Sequence, residues 1–129
     1  MSRPANLKYT RSHEWVRVEG DVATVGITDH AVEQLSDLAF VDLPRKGAKA
    51  EKDQRFGEIE STKSVSDLIA PLSGEIFDVN TEVIENLQLI SLSPFDEGWL
   101  IRVRISNPAE LKSLLSAEDY AEQLKHEEH

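Results

Sequence analysis

Apolar and polar side chains alternate through most of the first hundred residues, the period of strands with one buried face. Leu7-Lys8-Tyr9-Thr10 and Trp15-Val16-Arg17-Val18 both follow it. Glu19-Gly20-Asp21 turns the chain, and Val22-Ala23-Thr24-Val25-Gly26-Ile27 returns as a strand. Thr28 is placed to cap a short helix with Ala31, Val32 and Leu35 on one face. Leu38–Leu43 reads as a further strand stopped by Pro44, with a turn at Lys46-Gly47. Two strands, Arg55–Glu60 and Val65–Ala70, then flank the small polar segment Ser61-Thr62-Lys63-Ser64. Pro71 and Ser73-Gly74 turn the chain into a strand over Glu75–Asn80, and Trp99–Ile105 is the last strand.

The final quarter changes to helical spacing. Asn107, Pro108 and Glu110 have the order of a helix start, with Asn as cap, Pro first and Glu third. Leu111, Leu114 and Leu115 supply its buried face. Ser116 caps a second helix carrying Tyr120 and Leu124, and the tail Lys125–His129 is expected to fray. Short strands between turns, closed off by C-terminal helices, predict a mostly β sandwich or barrel. One domain covers residues 1–129, with its core over 7–105 and a helical segment over 107–125. Gly20–Val25 and Gly74–Val79 echo each other in pattern, as two related strands of a pseudo-symmetric β-structure would, or as chance would.

Composition narrows the chemistry. With 24 acidic and 14 basic residues, the net charge is −10. Such a surface repels nucleic acid and anionic lipid, and suits proteins with basic entrances if it serves more than solubility. No apolar run approaches the roughly 18 to 20 residues of a membrane span. The N-terminal Met-Ser-Arg-Pro-Ala-Asn lacks the apolar centre of a signal peptide, so a cytoplasmic protein is expected. The absence of cysteine removes disulfides, thiolate metal sites and cysteine nucleophiles together. Any thiol or redox chemistry has to come from an attached group.

Enzyme signatures are missing. There is no Gly-rich phosphate loop, Gly-x-Ser-x-Gly elbow or His-Glu-x-x-His. Of the four histidines, His126 and His129 fall in the tail, and His13 and His30 lack metal-ligand spacing. Structural or surface roles are expected for them, with no metal site and no catalytic residues. The remaining candidate is Lys63, an amine among small neighbours at a strand-to-strand turn. A modifying ligase needs an amine presented in this way. Turn chemistry makes Lys63 accessible and goes no further, since most exposed turn lysines are solvated charges.

Glu60-Ser61-Thr62-Lys63-Ser64-Val65-Ser66-Asp67, followed by Ala70-Pro71-Leu72-Ser73-Gly74-Glu75-Ile76, resembles the lipoylation segment of the glycine cleavage system H proteins. The resemblance continues through Ser12-His13-Glu14-Trp15, Gly26-Ile27-Thr28-Asp29-His30-Ala31, Phe40-Val41-Asp42-Leu43-Pro44, Ser93-Pro94-Phe95 and Gly98-Trp99. It spans essentially the whole chain in one register. A lysine before Ala-Pro-Leu-Ser-Gly is shared with other lipoyl and biotinyl domains; with Ser-His-Glu-Trp and the C-terminal helices the pattern is specific. Biotin carriers typically place Met on both sides of the lysine, where this chain has Thr62 and Ser64.

The resemblance implies a barrel-sandwich hybrid: two small antiparallel sheets, a short internal helix and C-terminal helices. It implies lipoate joined by an amide to Lys63 and a carrier, not an enzyme. The partners it implies are a pyridoxal-phosphate glycine decarboxylase, an aminomethyltransferase, a dihydrolipoyl dehydrogenase and a lipoyl ligase or transferase. A monomer is expected. It also implies that Glu14, Ser12 and Asp67 shield the aminomethyl group on the arm. Passing lipoate to other proteins, or acting as an unmodified interaction module, are the alternatives. Three positions depart from the family pattern. Thr62 replaces the usual Val, also β-branched. Gln34 stands where some members have His, and Ser91-Leu92 where an Asn-Ser pair is usual.

Overall fold

A computed structural model describes residues 3–127 of the chain. Two antiparallel sheets pack face to face, and neither closes into a barrel. The larger is built from β1 (Lys8–Tyr9), β2 (Glu14–Glu19), β3 (Val22–Ile27), β5 (Lys49–Ala50), β8 (Gly74–Val79) and β9 (Ile101–Ile105). Its strand order is β1-β2-β3-β9-β8-β5. The smaller holds β4 (Leu38–Asp42), β6 (Arg55–Ser61) and β7 (Val65–Ile69), with β6 central. The expected mostly β architecture of two antiparallel sheets is the one found. No helix of the described residues is long and apolar enough to cross a membrane.

Between the sheets lies the main core, which includes Val16, Val25, Ile59, Leu68, Ile76 and Val103. Leu7, Tyr9, Trp15, Tyr120 and Leu124 form a second cluster under the last helix, α4 (Ala117–Glu127). Strand parity links the two. Val16 of β2 faces the main core, so Trp15 must face the opposite side, where α4 covers it. The Trp15 ring lies over Gly26, its register partner on β3; a Cβ on Gly26 would sit 2.6 Å from the indole.

Thr28 caps α1 (Asp29–Leu35) as expected, its hydroxyl accepting from the Ala31 N–H. The echoing segments Gly20–Val25 and Gly74–Val79 contribute β3 and β8, which flank β9. Between β8 and β9, two short helices, α2 (Glu82–Glu85) and α3 (Gln88–Leu92), interrupt the alternation without forming a strand.

The C-terminal region corrects three expectations. Pro108–Ser113 is a 3-10 helix, and Asn107 makes no side-chain cap bond. Glu110 is drawn away to accept from the Ser73 N–H at 2.8 Å and the Ser73 hydroxyl at 2.9 Å. Leu115 then bridges Tyr9 through two backbone bonds of 2.8 and 2.7 Å, which ends the helical path. Leu111, Leu114 and Leu115 are consequently half-buried and do not form a fully buried face. Ser116 does cap α4, accepting from the Asp119 N–H at 3.1 Å. The tail does not fray where expected: Lys125, His126 and Glu127 continue α4. His129 lies outside the described residues.

Candidate functional site

Lys63 sits exposed in the three-residue connection, Thr62 to Ser64, between β6 and β7, above the Glu60–Val65 pair. Ser61 organises this tip. Its N–H donates to the Ser64 carbonyl at 2.8 Å, and its buried hydroxyl accepts from the N–H groups of Lys63 at 3.2 Å and Ser64 at 3.0 Å. The Thr62 N–H donates to the Asp37 carbonyl at 3.0 Å, tying the tip to the α1–β4 connection. Backbone donors that would otherwise seek water are satisfied locally, so the tip is a fixed turn. The Lys63 side chain projects from it and enters no ion pair among the described residues.

At the other end of the hairpin, Glu14 is buried, with 1% of its surface exposed. Parity dictates this: Glu14 shares the inward face of β2 with Val16. Its Oε1 accepts from the Thr10 hydroxyl at 2.7 Å and the Ser12 hydroxyl at 2.5 Å. Its Oε2 accepts from the Ile69 N–H of β7 at 3.3 Å, joining the two sheets. All of these donors are neutral. Burial therefore dominates and pushes the carboxyl up to about 7, against the opposing pull of the hydrogen bonds from Ser12, Thr10 and Ile69.

Glu14 owes its position to the preceding loop. The Thr10 N–H donates to the Glu14 carbonyl at 2.9 Å, and the turn closes with His13 at a φ of 74°. Left-handed backbone costs a non-glycine residue about 1–2 kcal/mol. Tertiary contacts hold it here: His13 Nδ1 lies 2.7 Å from the Tyr120 hydroxyl, and its Nε2 3.1 Å from Glu127 Oε1.

Thr10, Ser12 and Ile69 line a cleft of about 280 Å³, with Pro71 and Leu114 on its wall and Lys52 at its edge. The residues that bind the Glu14 carboxylate thus line an opening to solvent. A wider concavity of about 720 Å³, lined by Lys49, Arg104 and Glu110 among others, contains none of the four predicted site residues.

Of those four, Ser12 and Glu14 are in direct contact. Asp67 lies two residues before Ile69 on β7, but its side chain is 60% exposed and its Oδ1 accepts from Arg55 Nε at 3.2 Å. Glu58, its register partner, takes the same guanidinium at 2.9 Å. Among the described residues, no hydrogen bond joins Asp67 to Ser12 or Glu14. Lys63 stands apart at the tip.

Sequence reasoning missed Thr10, the Ile69 N–H and Arg55. None has a local signature, because each acts through a partner distant in the chain or on a neighbouring strand. Ser61 was legible in principle, as a hydroxyl that opens a turn. Gln34 is exposed on α1, and Ser91 and Leu92 lie on α3 at the rim of a cleft of about 400 Å³ that also includes Asp37.

The family model described as "Glycine cleavage H-protein" matches residues 7–127. A glycine cleavage system H protein from Rubrobacter xylanophilus is 53% identical over 125 residues, covering 97% of each chain. A mitochondrial one from Flaveria pubescens is 53% identical over 114 residues, covering 88% of this chain and 75% of that one. The crystal structure of a glycine cleavage system H protein from Mycobacterium marinum superposes with a TM-score of 0.88 at 42% identity, covering 95% of this chain and 99% of that one. This chain, with its fixed lysine-bearing hairpin and whole-length match, belongs to the glycine cleavage H-protein family, the lipoyl carriers of the glycine cleavage system, which are not catalysts in their own right.

Proposed function

We propose that Lys63 is the attachment point of the lipoyl group and that Glu14, with Ser12, receives what the arm carries. The observation that carries this reading is an exposed lysine on a hydrogen-bonded hairpin tip whose strand β7 leads back to a buried carboxylate. Acylation of Nζ removes a charge, and Lys63 forms no ion pair among the described residues that this would break. The lipoyl group supplies the disulfide that is reduced and the sulfur that takes the aminomethyl unit.

The protein's part is to present, receive and shield. The Ser61 bonds hold the Lys63 backbone in one orientation for the modifying enzyme and for each partner. Lys63 and Ile69 are six residues apart on β7 and its turn, at most about 20 Å at strand rise, so the arm works over a span within one hairpin. Among the described residues Glu14 has no cationic partner, and burial penalises its charge. An ammonium brought to Oε2 would relieve that penalty with a charge-assisted hydrogen bond. Ser12, exposed at the cleft and bonded to Glu14 Oε1, offers a hydroxyl beside it. Asp67, held by Arg55, would reach the arm only by leaving that ion pair, worth little at such exposure.

The partners are the enzymes of the glycine cleavage system, and the net charge of −10 suits basic entrances on them. Intact mass after co-expression with a lipoyl ligase and lipoate tests the attachment. The native chain should gain one lipoyl increment and Lys63→Ala none. An unmodified native chain, or a modified mutant, refutes the assignment.

A further inference from the structure

His13, His30 and Glu127 come from three distant parts of the chain: the β1–β2 loop, the start of α1 and the end of α4. One ring nitrogen of each histidine and one carboxylate oxygen of Glu127 lie within 4.8 Å of one another. The two imidazoles pack with centroids 4.7 Å apart and planes 39° from parallel. His30 is only 8% exposed, and its Nε2 is enclosed with no hydrogen-bond partner among the described residues. Leaving a buried polar atom unpaired is costly, so this nitrogen calls for a partner.

The surroundings of His13 suit a ligand. Its Nδ1 is 2.7 Å from the Tyr120 hydroxyl, which is 2.7 Å from Thr28 Oγ1. Hydroxyls can run this chain in either direction. With Nδ1–H donating to Tyr120 and Tyr120 donating to Thr28, the Nε2 lone pair is left facing Glu127 Oε1, 3.1 Å away. Metal-bound histidines characteristically have such support at the second nitrogen. Arg3 acts on His13 electrostatically but is paired with Asp29 at 2.8 Å.

We propose that His13, His30 and Glu127 form a binding site for a divalent transition-metal ion, Zn²⁺ in particular, with a fourth position open to water. Two imidazoles and one carboxylate favour such an ion over Mg²⁺ or Ca²⁺, which take oxygen ligands. Zn–N and Zn–O bonds of about 2.0–2.2 Å require the ligand atoms to close somewhat from their present spread. Glu127, 39% exposed at the end of α4, would move inward at the expense of the 2.6 Å bond its Oε2 accepts from Gln123 Nε2. Both imidazoles bind neutral, and where His13 Nε2 carries the proton, that proton leaves to water. The bound ion ties the last turn of α4 to α1 and to the loop that holds Ser12 and Glu14.

The test is calorimetric titration of the full, unlipoylated chain with ZnCl₂ after chelator treatment, paired with thermal unfolding. Using the unlipoylated chain keeps arm sulfurs from competing for the metal. Native protein should bind one equivalent and unfold at a higher temperature with Zn²⁺ but not with Mg²⁺. His30→Leu and Glu127→Gln should each weaken binding by more than the roughly 10–100-fold typical of losing an outer-shell partner. His126 and Glu122, 3.8 Å apart on α4, are the rival pair, so His126→Ala should bind as the native chain does. No Zn²⁺ binding by the native protein, unweakened binding by Glu127→Gln, or loss of binding in His126→Ala would overturn the site. Glu127→Gln decides the matter even if His30→Leu fails to fold.

Discussion

Glu14 imposes a pH dependence on stability that can be isolated. Its carboxyl titrates near 4.5 when exposed and near 7 in the fold, because burial disfavours its charge. Between those values the folded state holds more protons than the unfolded state, so this group's contribution is undiminished below pH 4.5 and is lost as pH rises toward 7. At about 1.4 kcal/mol per pH unit, the full loss is about 3 kcal/mol. Linkage places about 2 kcal/mol of that between about pH 5.5 and 8.5. His13 acts in the opposite sense, since burial lowers its pKa and stability then rises as pH climbs toward 6.5. Comparison with Glu14→Gln removes the His13 contribution. The amide this substitution introduces can turn its oxygen to the Ile69 N–H and its NH₂ to the Ser12 and Thr10 hydroxyls, which can accept, and its cost does not vary with pH. Urea unfolding of both chains across this range, followed by the fluorescence of Trp15 and Trp99, measures the effect. The native chain should lose about 2 kcal/mol relative to Glu14→Gln on going from about pH 5.5 to 8.5. A difference that stays within about 0.5 kcal/mol across the range would refute the argument that burial raises the pKa of Glu14. If an ammonium on the arm is received at Glu14, protein charged with the aminomethyl group should show a smaller slope than the uncharged protein.

Further expectations concern the hairpin and the core beneath it. Lys63→Arg should abolish lipoylation in an intact-mass assay while changing unfolding free energy by less than about 0.5 kcal/mol, since Lys63 is exposed at a turn. Ser61→Ala should cost about 1 kcal/mol in chemical denaturation and slow ligase-catalysed modification of Lys63, because two tip N–H groups lose their acceptor. Gly26→Ala should cost about 1–3 kcal/mol and lower the thermal midpoint, because its methyl group would overlap the Trp15 indole. Arg55→Ala should leave stability nearly unchanged, as the pairs it breaks lie at the surface, while freeing Asp67; denaturation at low and high salt checks this.

Local chemistry left most strands and turns legible. Trp15–Val18 and Val22–Ile27 do form β2 and β3, with Gly20 turning between them at a φ of 64°, but burial does not alternate there: Trp15 and Val16 are both buried, because α4 covers the Trp15 face, and Val18 is exposed. Thr28 and Ser116 cap the helices they precede, since each needs only a hydroxyl within three residues of a free N–H. The start at Asn107 escapes a local reading for the opposite reason. Its helix is decided by Ser73 and Tyr9, residues far away in the chain that claim Glu110 and Leu115.

Local pattern alone was enough to place most of the strands, the polar tip that exposes Lys63, and membership of a carrier family. The sequence could also list Glu14 among candidate polar groups, but not that it is buried. That required α4 to cover the Trp15 face of β2, which leaves Glu14 pointing between the sheets toward the Ile69 N–H. Nor could spacing bring together His13, His30 and Glu127, which share no helix turn or strand register and meet only where α4 docks. Short-range hydrogen bonds and side-chain period are written locally, whereas burial and the pKa it shifts belong to whatever distant segment packs on top.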